Sequence, residues 1–135
     1  MHRLHHRSTT PTPFAAYAFA APEAAVQALF VSLWICLIPT PDFALFLLLG
    51  IMIVRNVIGH AGTELHPRGM ADHWLGGLFT TTVHHDLHHG GGFSHNYGLY
   101  FTWWDGMMGT EHPRYREIYR EVTSRELPVA KPAAA

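Results

Sequence analysis

Charge is what this sequence has least of. Only 14% of its 135 residues are Asp, Glu, Lys or Arg, against about 25% in soluble domains. The shortage is uneven, because nine of the nineteen charged residues lie from Glu111 onward. Ten charges over the first 110 residues cannot cover a globule of that size in water. A body in or on a membrane, followed by a soluble tail, is expected. The length suits one domain and not two. No basic patch is present and the net charge is −1, which argues against nucleic acid as a partner. Cysteine is nearly missing: Cys36 stands alone inside an apolar run. That excludes an intrachain disulfide framework and argues against a cysteine metal site. Gly-x-Ser-x-Gly, a Walker loop, Gly-x-Gly-x-x-Gly and His-Glu-x-x-His are absent as well. No signal peptide is expected, since the first apolar run starts late and lacks a cleavage signature.

What the chain does have is two long uncharged runs. Ala25–Ile38 is polar only at Gln27 and Ser32, and Phe43–Val54 has no polar side chain. Pro39-Thr40-Pro41-Asp42 separates them. Proline lacks the amide donor and clashes with the preceding turn, so a helix must break there. The pattern predicts a helical hairpin with arms Ala21–Ile38 and Asp42–Ile58. These are at the short end of the lengths that span a hydrocarbon core. A buried hairpin in a soluble helical core is the competing reading. Arg3, Arg7 and Arg55 flank the open ends, which the positive-inside rule places in the cytoplasm. All twelve histidines lie outside the hairpin, so they can gather on that face. Residues 97–108, with Tyr97, Tyr100, Phe101, Trp103 and Trp104, suit a membrane surface or an ordinary aromatic core. A soluble helix is expected over 114–127, supported by Glu121 and Arg125 at i,i+4, then a disordered tail over 128–135.

Histidine, at twelve residues, is the opposite extreme. Two segments share the spacing His-x-x-His-His: His2, His5, His6 and His85, His88, His89. On a helix, i, i+3 and i+4 share a face, so each triplet presents three imidazoles. Neutral imidazole binds iron, zinc, copper and nickel. Six nitrogens exceed what one tetrahedral ion needs and suit two ions. His60 follows the second arm directly and is a further candidate ligand. Glu64, Asp86 and Asp105 are candidates to orient a ligand from behind. His66, His84 and His95 are possible extra ligands, while His73 and His112 read as surface residues.

Taken in order, these motifs resemble the fatty acid hydroxylase/sterol desaturase superfamily. The residues that carry the resemblance are His2–His6, the hairpin, Gly59-His60-Ala61-Gly62 and His84–His89. Asn96-Tyr97-Gly98, Trp104-Asp105-Gly106 and Gly109-Thr110 complete the set. The Gly-His-x-Gly element is similar to the sterol C4-methyl oxidase and cholesterol 25-hydroxylase branches. The resemblance implies an all-α membrane protein: a helical hairpin under a cytoplasmic, histidine-rich helical cap. It implies one domain over 1–127, without the family's N-terminal helices and first histidine box. It implies two iron ions (zinc in a purified sample) held by His2, His5, His6, His60, His85, His88 and His89. It also implies O2, a sterol or fatty acyl C–H bond as target, and an external donor of the cytochrome b5 or ferredoxin type. A membrane-anchored metal-binding fragment without turnover is the alternative.

Overall fold

The computed structural model describes residues 5–7, 12–90 and 93–125. Among them the regular structure is helical, with a single isolated β-bridge between Phe79 and Phe101. The two apolar runs form α1, Ala21–Leu37, and α2, Asp42–Gly59. These bounds lie within one residue of the predicted arms. Pro22 sits in the first turn of α1, where its missing amide costs nothing. Pro39 and Pro41 end one helix and precede the next. Within that turn Trp34 Nε1 donates to Thr40 Oγ1 at 3.1 Å, and Thr40 Oγ1 donates to the Ile38 carbonyl at 3.0 Å. Asp42 lies in the first turn of α2, where the helix dipole favours an anion.

These two helices bury almost nothing against the rest of the chain. No residue of α2 is buried, and Phe43 is 78% exposed. Soluble monomers rarely leave so wide a contiguous apolar surface uncovered. Helix α2 is long and apolar enough to cross a membrane, and α1 is one residue shorter. Phe30, Val31 and Trp34 of α1 face Leu45, Leu48, Leu49 and Met52 of α2 across an apolar cavity of about 120 Å³.

The conventional core lies beyond the C-terminal end of α2. Three helices follow, α3, Thr82–Gly90, α4, Trp103–Met108, and α5, Tyr115–Ser124, of which α3 and α5 pack together there. Ala71, Val83, Tyr115 and Tyr119 form its buried centre, with Met70, Leu87, Ile118 and Val122 around it. Polar ties close the cap. Tyr119 donates to the Pro67 carbonyl at 2.7 Å. Arg116 donates to the Ala71 carbonyl, and Arg120 pairs with Asp72. Helix α5 is shorter than the predicted 114–127. Arg125 already has extended backbone, so it cannot meet Glu121 across a helical turn. Arg114 instead pairs with Glu117 and Arg116 with Glu111. The expectation of a disordered tail over 128–135 lies outside the described residues.

Candidate metal centre

The histidines gather where α2, α3 and the short turn His5–Arg7 meet. His60 caps the C-terminus of α2. Its Nδ1 donates to the Asn56 carbonyl at 2.8 Å, which makes Nε2 the lone-pair nitrogen and turns it inward. That Nε2 lies 3.1 Å from His5 Nε2 and 3.2 Å from His85 Nε2. His89 completes the group: ligand atoms of His5, His60, His85 and His89 all lie within 4.8 Å of one another, and all four residues are buried. Nitrogens around one tetrahedral ion at the usual bond length stand about 3.3 Å apart. The spacing, the burial and the inward lone pair of His60 fit a metal ion.

Two more rings extend the group. His6 stacks on His89 with centroids 4.5 Å apart and meets His88 at 4.6 Å. His88 Nδ1 donates to the His95 carbonyl at 2.8 Å, which aims its Nε2 away from that backbone. Burial, then the neighbouring His60 and His89, lower the pKa of His85 to about 2. The ring therefore stays neutral, the state a ligand needs.

The remaining candidates lie elsewhere. His84, one turn from His88, points to the other side of α3. Its ring packs against Tyr115 at 5.1 Å, and its Nε2 is 3.4 Å from Asp105 Oδ2. Burial lowers its pKa to about 4, against the opposing pull of Asp105. His66 Nδ1 meets Glu64 Oε1 at 2.6 Å, and its Nε2 lies 3.4 Å from Arg55. Glu64 Oε2 accepts the Val83 amide at 2.8 Å, so the carboxylate caps the N-terminus of α3. Burial works to raise the pKa of Glu64, but the bonds from His66 and Val83 prevail and lower it. Asp86 lines a polar cavity with Glu64, His66 and Arg125, and burial raises its pKa. His95 Nδ1 meets Ser94 Oγ at 2.8 Å, and its ring faces His112. His2 lies outside the described residues.

Behind α3 sits a hydrogen-bonded knot that spacing alone does not reveal. Asp105 is 1% exposed. Its Oδ1 accepts the Tyr97 amide at 2.8 Å and Thr110 Oγ1 at 2.7 Å, and its Oδ2 accepts the Gly98 amide at 2.9 Å. Asn96 Nδ2 donates to the His84 carbonyl, its Oδ1 accepts the His112 amide, and its own amide donates to the Thr110 carbonyl. Asn96 takes a left-handed backbone, φ 56°, which asparagine tolerates. The carbonyl that holds His88 belongs to the residue just before it. Asn96 and Gly59 are thus supporting residues that the spacing of histidines did not single out. A Cβ at Gly59 would lie 3.3 Å from the His85 ring, so glycine lets α2 and α3 close. The available signal for both was their place in the Asn96-Tyr97-Gly98 and Gly59-His60-Ala61-Gly62 motifs of the family resemblance.

A cavity of about 470 Å³ opens from the histidines toward the apolar helices. His5, His60, His85 and His88 line one end, with Tyr17, Tyr97 and Tyr100 beside them. Val26, Gln27, Phe30, Val31 and Met52 continue it along α1 and α2. Such a site can hold an ion and lay an apolar molecule against it.

The Fatty acid hydroxylase family matches residues 1–110, and the chain belongs to that family. A delta(7)-sterol 5(6)-desaturase of Gibberella zeae is 30% identical over 118 residues, 87% of this chain and 35% of that protein. A delta(7)-sterol 5(6)-desaturase of Eremothecium gossypii is 32% identical over 127 residues, 94% of this chain and 32% of that protein. Lathosterol oxidase of Rattus norvegicus is 31% identical over 114 residues, 84% of this chain and 36% of that protein. The chain thus spans about a third of the length of these relatives. No solved structure matches it.

Proposed function

We propose that this chain forms the metal-holding part of a membrane-bound non-haem di-iron oxygenase. It would hydroxylate or desaturate a sterol or fatty acyl C–H bond with O2. One observation carries the reading: buried imidazoles of His5, His60, His85 and His89 converge at the end of an apolar cavity lined by α1 and α2. Their similarity to the sterol desaturases named above supports a lipid as substrate. His6 and His88 stand beside the first four and supply nitrogens for a second ion. His2 belongs to the same ligand set by its place in the first triplet. Imidazole binds zinc as well as iron, so a purified sample can carry either.

Bound iron would supply the reduction of O2 that breaks an unactivated C–H bond. Hydroxylation inserts one oxygen atom and releases the other as water, with two electrons and two protons. Desaturation uses the same electrons and releases two waters. An external cytochrome b5 or ferredoxin would deliver them, since no flavin or nicotinamide motif is present. The chain's own work is orientation. The cavity wall excludes water and aligns one C–H with the histidine end, and such alignment removes much of the barrier. Helices α1 and α2 would form a membrane hairpin open toward the cytoplasm, with the cap of α3 to α5 on that side.

The test is turnover under ¹⁸O2 in vesicles holding a sterol or fatty acyl lipid, with a reductase and donor protein. A product carrying ¹⁸O, or a new double bond, is expected, and His60→Ala should abolish it. Retained metal with no oxygen-dependent conversion would replace this reading with the second one. In that reading the chain is a membrane-anchored metal-binding segment without turnover.

A further inference from the structure

The cap carries a second apolar surface that the metal centre does not use. Helix α4, Trp103–Met108, holds one charged residue, Asp105, and turns it inward. The outer residues are Trp104, 50% exposed, with Met107 and Met108, both above 70%. Trp103 stacks on Trp104 at 4.2 Å, and the ring series continues through Phe101 to Phe79. No Asp, Glu, Lys, Arg or His interrupts residues 98–104. A shallow cavity of about 310 Å³ opens beside this face, bordered by Leu99, Phe101, Trp104 and Met108.

The position of this surface says what covers it. Arg55, one turn from the end of α2, donates to the carbonyl and hydroxyl of Thr80 at 2.7 and 2.6 Å. Thr80 in turn bonds to Tyr100 and Leu99, and the Thr102 amide bonds to the Leu78 carbonyl. The aromatic face is therefore tied to the level at which α2 leaves its apolar stretch. Tryptophan and tyrosine concentrate at that depth because an apolar ring and a polar N–H or O–H are both satisfied there.

We infer that the outer face of α4, with Phe79 and Phe101, lies in the lipid headgroup zone as a second, non-spanning membrane contact. This rests on α1 and α2 entering the bilayer, as in the proposed function. The contact would hold the cap flat on the membrane, with the mouth of the histidine cavity at lipid level. A second copy of the chain, or another protein segment, is the competing cover.

The experiment uses the full chain in phosphatidylcholine vesicles with one tryptophan kept at a time. In the Trp104 protein, Trp34, Trp74 and Trp103 become Phe. Lipids brominated near the carbonyl should remove most Trp104 emission, more than lipids brominated near the chain end, and iodide should remove little. Strong iodide quenching without bromolipid quenching would place the face in water and overturn the inference. Shielding from both would mean a protein covers it, which also overturns it. A Trp34 protein reads α1 separately. Quenching at Trp34 but not Trp104 would sink this inference alone, and quenching at neither would sink the membrane reading beneath it. If the triple variant misfolds, as shown by lost metal, the Trp34→Phe, Trp74→Phe protein reads the Trp103–Trp104 pair under the same criteria.

Discussion

Asp105→Ala would leave the amides of Tyr97 and Gly98 and the hydroxyl of Thr110 without their shared acceptor. Each buried donor left unmet costs about 1–3 kcal/mol. Two amides and one hydroxyl therefore imply a loss of roughly 3–9 kcal/mol, a large part of the ~5–15 kcal/mol that holds a typical domain. Asp105→Asn keeps the shape and one oxygen but aims an NH2 at a donor, so the expected loss is about 2–3 kcal/mol. Thr110→Val removes a single donor from an acceptor with other partners, and about 1 kcal/mol is expected. The assay is denaturant unfolding in mild detergent, followed by tryptophan emission. The order Ala, Asn, Val, from most to least damaging, is the central point. An Asp105→Asn protein as stable as the unchanged chain would refute the knot as the cap's organiser.

Asn96→Asp keeps the acceptor for His112 and loses the donor to the His84 carbonyl. It should loosen the His95 carbonyl and lower metal occupancy, read as metal per chain. Gly59→Ala puts a methyl against the His85 ring, and overpacking of this kind typically costs ~1–3 kcal/mol. Weaker metal retention on dialysis against a chelator should accompany it. The metal-free protein should lose stability as pH falls. Histidines in the unfolded chain take up protons near 6.5, whereas His84 resists until about 4 and His85 until about 2. The unfolded state then binds more protons, so stability drops by up to ~1.4 kcal/mol per pH unit for each group. Unfolding midpoints that stay flat between pH 6.5 and 4 would contradict the depressed values.

The two apolar helices were legible because their signals are local. The Pro-Thr-Pro-Asp break and two uncharged runs set α1 and α2 to within one residue. The helical triplet was legible too, since α3 carries His85, His88 and His89. Which side His84 faces was not readable from spacing, because it depends on Asp105 and Tyr115, both distant in sequence. Glu64 illustrates the same limit. Its place one turn after His60 pointed toward the metal, but the open α3 N-terminus offers it a backbone amide nineteen residues away. The long stretch from Ala61 to Thr81 has little periodicity, and its shape comes from ties to α5 such as Tyr119 to Pro67.

The most direct test of the central claim is metal content with X-ray absorption on detergent-purified protein made without a polyhistidine tag. The account predicts two irons per chain with a nitrogen-rich ligand shell, both lost in a His60→Ala, His85→Ala double variant. A chain that holds no transition metal, or one whose metal survives the double variant, would contradict it.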